Sequence, residues 1–112
     1  MKELLPNRIL SLPTILVGTE AQDHEIIEEN NGLVHFKITK EWAEDPNSNR
    51  QMTIYSMSVS GPKKDRLDFI RRISQRFGKP RMTIELPQIP NINFCIWHAK
   101  ELEERLRKLV QN

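Results

Sequence analysis

Two boundaries rich in glycine and proline enclose one segment of the chain and restrict its fold more than any other feature. Gly61-Pro62 precedes the segment and Gly78-Lys79-Pro80 follows it. Proline suits the first position of a helix, where its missing N–H has no partner to lose, and glycine favours the left-handed end of a helix. Between these boundaries, apolar residues recur every three or four positions. They are Leu67, Ile70, Ile73 and Phe77. This spacing predicts an amphipathic helix over residues 62–77.

Two segments that precede this helix show the alternation of a half-buried strand. Residues 33–42 alternate between apolar and polar side chains, and residues 51–60 do so less regularly. Five consecutive turn-forming residues at 45–49 lie between them, so the pair is predicted to be a hairpin with a long loop. The inward positions of the second strand shift from Ile54 to Tyr55, which predicts a β-bulge there.

A further strand is predicted after the helix, over residues 81–86. Its inward side chains would be Met82, Ile84 and Leu86, because they alternate with Arg81, Thr83 and Glu85.

The beginning of the chain gives weaker patterns. Residues 8–17 are predicted to be extended, with Pro13 either breaking the strand or confining it to a sheet edge. Residues 19–31 are acidic and predict a loop or a short helix, and 30–32 form a turn.

The end of the chain fits two structures. Residues 99–110 carry an apolar stripe, with opposite charges four positions apart on the other side, and predict a helix. Residues 92–97 fit either a strand or an extension of this helix. The helical alternative is favoured because Ile92, Cys95 and Ile96 continue the stripe without a break. The predicted second helix therefore spans about 92–110.

These elements predict an α+β fold with a single domain over residues 1–112. We expect a mainly antiparallel sheet of three to five strands, with the helices 62–77 and 92–110 packed on one face. Leu, Ile, Val and Phe total 31 residues, which is well above the composition of disordered chains. The longest apolar run has four residues, 94–97, so we expect no membrane interaction. A single cysteine fits the reducing cytoplasm.

The net charge of +2 conceals a segregation of charge along the chain. The net charge is −4 over residues 1–60, +6 over residues 61–84 and zero over residues 85–112. The acidic residues of the first part are concentrated in 19–32, which holds five Asp and Glu and no Lys or Arg. Such opposite blocks either neutralise each other within the molecule or are left for partners.

The basic block suggests that the chain binds an anionic surface. Its positive side chains follow the outer side of the predicted helix and continue beyond it, and arginine can bind phosphate through two hydrogen bonds. The candidate residues are Lys64, Arg71, Arg72, Arg76, Lys79 and Arg81. We expect a small non-enzymatic binding or regulatory module with nucleic acid as its first candidate partner. The alternative for this block is a solvated helix neutralised by Asp65 and Asp68, or by residues 19–32.

A second hypothesis is a protein–protein adaptor or inhibitor, with homodimerisation as one form of it. If 92–110 is helical, Phe94 and Trp97 lie together beside the apolar stripe, where they either pack against a second core element or offer a protein-interaction surface.

Patterns for catalysis and for metal binding are weak. Cys95 and His98 form one C-x-x-H pair, whereas a structural zinc site usually needs two such pairs. The acidic residues Glu41, Glu44 and Asp45 match no calcium-binding loop. No glycine-rich phosphate loop and no nucleophile motif occurs. The sequence therefore predicts no catalytic residues, no metal site and no cofactor.

Overall fold

The computed structural model describes residues 5–13, 25–45 and 47–111 of the chain. Five strands form one sheet, in which every neighbouring pair is antiparallel and the order is β1-β2-β3-β5-β4. The elements in chain order are α1 (Asn7–Leu10), β1 (Glu25–Asn31), β2 (Val34–Glu44), β3 (Gln51–Ser60), α2 (Lys63–Phe77), β4 (Met82–Glu85), β5 (Ile92–His98) and α3 (Ala99–Gln111).

The predicted α+β class and antiparallel sheet are confirmed, and the helices pack on one face of the sheet. The core lies between the sheet and α2 and α3, and it also takes in Ile9 of α1. Phe36 of β2 and Phe69 of α2 make a typical contact across it, with ring centroids 5.0 Å apart. The face of the sheet that points away from these helices is here called the open face.

Helix α2 confirms the prediction for residues 62–77 to within one residue. Pro62 precedes its first turn, and Gly78 ends it with a φ of +94°. The predicted core position Leu67 is wrong, because this side chain is 45% exposed. The buried face is centred instead on Phe69, Ile70 and Ile73, and it includes Arg66.

The predicted helix 92–110 is wrong in its first third, because Ile92–His98 is strand β5 and helix α3 begins at Ala99. Burial alternates strictly along β5, with Asn93, Cys95 and Trp97 facing the helices. β5 lies between β3 and β4 and supplies hydrogen-bonding partners to both. This pairing overrides a local pattern that fits a helix equally well.

Three smaller predictions also need correction. Residues 7–10 are helical rather than extended, and 14–17 lie outside the described residues. Residues 25–31 are strand β1 rather than loop or helix, because they pair along β2, and 19–24 again lie outside the described part. The bulge is not in β3, whose register with β2 is continuous from 51 to 60, but in β1 between Glu25 and Ile27.

Of the two turns predicted here, the one at 45–49 is confirmed over its described residues, whereas the one at 30–32 is displaced, because Asn30 and Asn31 belong to β1 and the turn lies at Gly32 and Leu33. Gly32 has a φ of +65° at the first position of the two-residue β1–β2 turn, where a type II′ turn needs it. In the β2–β3 loop, the carboxylate of Asp45 accepts hydrogen bonds from the main-chain N–H of Asn47 and from the hydroxyl of Ser48.

Candidate functional site

Two of the predicted anion-binding arginines share one acidic partner on their own helix. Arg71 Nη2 lies 2.6 Å from Asp68 Oδ1, and Arg72 Nε lies 2.9 Å from Asp68 Oδ2. The hydrogen bond from Arg71, followed by the charge of Arg72, holds the pKa of the Asp68 carboxyl below its usual value. The two arginines therefore add one net positive charge to the surface rather than two.

The other two predicted arginines also have partners within the molecule. Arg76 Nη2 donates a hydrogen bond to the carbonyl oxygen of Leu10 at 3.0 Å, and its guanidinium lies over the ring of Phe77. Arg81 forms a two-point ion pair with Glu101 of α3, and this contact lowers the pKa of the Glu101 carboxyl.

The two lysines of the predicted set remain available to a partner. Lys64 and Lys79 are exposed, and neither forms an ion pair among the residues that the structure describes. They lie 15 positions apart, near the two ends of α2, which is about 22 Å along a helix axis. The remaining charge is therefore spread along the helix rather than concentrated.

The described part of the acidic segment does not neutralise α2. Glu29 of β1 pairs with Arg8 at 3.2 Å, and Glu28 lies 2.9 Å from His35 on the open face. Arg71 and Arg72 of α2 are paired instead with Asp68, as one alternative for this block expects, whereas Arg81 beyond the helix is paired with Glu101, a partner that the net charges of the segments do not identify.

One charged residue that sequence analysis missed is buried in the centre of the fold. Arg66 is 1% exposed. Its Nε donates a hydrogen bond to Asn93 Oδ1, its Nη1 donates to the Gly61 carbonyl at 2.7 Å, and Nη2 lies 3.5 Å from Glu85. The helical period could have predicted this burial, because Arg66 lies four positions before Ile70 and thus on the core side of the helix.

Phe94 and Trp97 do not form one patch, because they point to opposite faces of β5. Trp97 is opposite Tyr55 of β3, is 6% exposed, and belongs to the core. Phe94 is opposite Ser58 and lies on the open face, partly exposed.

The open face changes from charged to apolar across the five strands. One row of paired residues crosses the whole sheet, one from each strand. In sheet order they are Glu28, Lys37, Ser58, Phe94 and Ile84. The β1–β2 side is thus charged, β3 presents Ser60, Ser58 and Ser56 followed by Ile54, and the β5–β4 side is apolar.

We call the apolar side of the open face the apolar half and define it by five side chains. They are Met82, Ile84, Ile92, Phe94 and Ile96. Met82 is 53% exposed and the other four are partly buried. The inward prediction for Met82, Ile84 and Leu86 is therefore wrong, because alternation identifies the two faces of a strand but not which of them the helices cover. No helix among the described residues packs on this face.

The two residues of the C-x-x-H pair point to opposite faces of β5. Cys95 faces the core, where burial raises the pKa of its thiol, whereas His98 is opposite Ile54 on the open face. Among the described residues no group of three potential metal ligands comes together. The carboxylates Glu41 and Glu44 point to opposite faces of β2, three positions apart.

Comparisons with protein-family models, with curated proteins and with solved structures give no significant match to the chain. In the described part of the chain, none of the helices has the length and apolar character needed to cross a membrane.

Proposed function

We propose that the chain is a polypeptide-binding module without enzymatic activity, and that it binds through the apolar half of its open face. The observation that carries the proposal is the grouping of five large apolar side chains on the side of the sheet away from the helices. Contiguous apolar surface of this kind is typical of sites that bind other proteins. Cys95, buried and free, is in keeping with the reducing cytoplasm as the place of action.

Phe94 occupies the centre of this surface. Ile84 is its direct neighbour on β4, and Ile92 and Ile96 flank it along β5. A central aromatic side chain surrounded by apolar neighbours is the usual composition of the residues that dominate binding energy. Ser58, next to Phe94 on β3, adds a hydroxyl that can donate or accept a hydrogen bond at the border of the site.

The proposal is tested by selecting displayed random peptides on the full chain and measuring the binding of the selected peptides by interferometry. We expect apolar peptides whose affinity falls about 30-fold or more with Phe94→Glu. The control is Leu67→Glu, which places the same charge on an exposed apolar position of α2, on the helix side of the molecule. Selected peptides that bind wild type and Phe94→Glu equally well contradict the proposal.

A second candidate function is binding of nucleic acid, or less favourably of an acidic protein, along α2. Lys63, Lys64 and Arg71 are exposed on this helix and Lys79 is exposed beyond it, whereas Asp65 and Asp68 are partly exposed and Asp68 pairs with Arg71. Because phosphate contacts release counterions, such binding weakens steeply with salt, by about 0.9 log units per log unit of salt for each contact.

Gel-shift titrations with single-stranded and duplex DNA and RNA at about 50 mM salt test this second candidate. We expect Lys64→Glu combined with Arg71→Glu to abolish the shift. The matched control is Lys100→Glu combined with Lys108→Glu on α3, which changes the net charge equally at two exposed positions. Absence of any shift by wild type at micromolar protein contradicts nucleic-acid binding.

A further inference from the structure

We infer that the polypeptide bound by the open face is a second copy of the chain, stacked face to face about a two-fold axis parallel to the strands. This inference rests on the proposed function, since it names the partner of the same surface. Two antiparallel sheets that stack in this way form a sandwich with a spacing of about 10 Å. The observations that identify the second copy are the shape of the face, the position of its charges and its size.

The open face carries a ridge and a groove of equal length side by side. The ridge is the row of bulky side chains on β5, Ile92, Phe94 and Ile96. The groove is the row of small side chains on β3, Ser60, Ser58 and Ser56, which are the direct partners of those three residues in the same order.

A two-fold axis that runs along the strands between β3 and β5 fits these rows together. It places the β5 ridge of each copy over the β3 groove of the other, with Phe94 above Ser58 at the centre. A symmetric dimer requires one surface to be complementary to itself, and an adjacent ridge and groove in register meet that requirement.

The charges of the open face favour the same arrangement. With the axis in this position, β4 of one copy covers β2 of the other, so Ile84 lies over the aliphatic stem of Lys37 while β1 with Glu28 remains outside the interface. An axis perpendicular to the strands would instead place β1 over β1 and β2 over β2. That alternative buries the charged Glu28 of both copies in addition to Lys37, which costs further free energy.

The size of the face fits a weak dimer. With the axis in this position, strands β2, β3, β5 and β4 of each copy take part, and four strands span about 19 × 23 Å at the usual strand spacing and rise per residue. This planar area, roughly 440 Å² per copy, is below the roughly 800 Å² per partner of a standard interface, so we expect a weak and transient dimer.

The β4 edge of the sheet offers less scope for pairing with a second copy than the open face does. The edge strand β4 has four residues and is enclosed by Pro80 and Pro87. Prolines and short length limit strand addition at an edge. Association through the face rather than through β4–β4 pairing is therefore expected.

Sedimentation equilibrium of the full chain between about 1 and 500 µM tests the inference. We expect a monomer–dimer equilibrium that Phe94→Glu weakens about 30-fold or more and that Leu67→Glu leaves within about two-fold. Ser58→Leu distinguishes the specific dimer from nonspecific hydrophobic association. It adds apolar surface but fills the groove, so we expect it to weaken the dimer about ten-fold, whereas an unspecific apolar contact would tighten.

Exchanging ridge and groove provides a rescue. In the double variant Ser58→Phe with Phe94→Ser, the bulky residue moves to β3 and the small one to β5, so the two-fold fit is restored. We expect dimerisation within about five-fold of wild type, with each single variant weaker. Circular dichroism and thermal unfolding show for every variant whether the fold is kept.

The outcomes separate this inference from the proposed function. A wild-type chain that stays monomeric at every concentration overturns the inference, and Phe94-dependent binding of selected peptides would then leave the proposed function standing. A dimer that Ser58→Leu tightens, or that Phe94→Glu does not weaken, also overturns it. A monomeric chain without Phe94-dependent peptides overturns both.

Discussion

The indole Nε1 of Trp97 donates a hydrogen bond to the main-chain carbonyl of Gly78, 2.9 Å away. Trp97 lies on β5 in the core, and Gly78 ends helix α2. The bond thus joins the end of α2 to β5, the strand that carries Phe94 on its other face. It also satisfies a carbonyl at a helix end, where no helical partner remains.

Trp97→Phe is expected to lower the free energy of unfolding by about 1–3 kcal/mol, because it leaves the Gly78 carbonyl without its donor and reduces the buried ring. Urea unfolding followed by circular dichroism measures the change. Trp42→Phe is the control, since Trp42 is 67% exposed and should change stability by less than about 0.5 kcal/mol. Equal losses for the two variants would show that the hydrogen bond contributes nothing.

Arg66 and Asn93 form a buried polar pair whose members depend on each other. Arg66→Met leaves Asn93 Oδ1 and the Gly61 carbonyl without this donor, and Asn93→Leu leaves Nε of the buried guanidinium without its acceptor. We expect each change to cost about 2–4 kcal/mol and the double variant to cost less than the sum by at least about 1 kcal/mol. A double-mutant cycle by urea unfolding measures this coupling, and strict additivity would contradict it.

The sequence predicts those elements whose local pattern and tertiary role agree. α2 is bounded by Gly61-Pro62 and Gly78, and it forms where expected. Residues 92–98 have no such boundary, and their role as the partner of β3 and β4 is a non-local property that no pattern within seven residues contains.

The candidate surfaces also depend on contacts between residues that are distant in sequence. The sequence shows the basic residues and Asp68 as a possible partner for them, but it does not identify the partner of Arg81, because Glu101 is 20 residues away in sequence. Phe94 was identified by its residue type. The face it occupies, and its apolar neighbours Ile84 and Met82 on β4, depend on which side of the sheet the helices cover.

Gly61 is predicted to tolerate no side chain. A Cβ at this position would lie 2.6 Å from the carbonyl oxygen of Leu33, and φ is +141°. We expect Gly61→Ala to cost about 2 kcal/mol or more, because the obstructing atom belongs to the main chain of the β1–β2 turn. Gly78→Ala is the comparison: its φ is also positive, but the nearest atom is Cδ of the flexible Arg105 side chain at 3.2 Å, so about 1 kcal/mol is expected. Chemical unfolding should show a larger loss of unfolding free energy for Gly61→Ala than for Gly78→Ala.

The ion pairs of Asp68 predict a loss of stability in acid. The pKa of the Asp68 carboxyl in the folded chain is lowered, chiefly by its hydrogen bond from Arg71, relative to an unfolded value of about 3.9. A group with a lowered folded pKa stabilises the fold above its unfolded pKa, and this contribution disappears as the pH falls through the folded pKa. Because the site is exposed, the effect on the melting temperature should be no more than a few degrees.

Asp68→Asn should therefore lower the melting temperature at pH 7 and match wild type at about pH 2, below both pKa values. Scanning calorimetry at several pH values in low salt measures the difference. Glu104→Gln is the control, because Glu104 is exposed on α3 and forms no ion pair among the described residues. A difference between Asp68→Asn and wild type that stays constant from pH 7 to pH 2 would mean that the Asp68 side chain acts by something other than its charge.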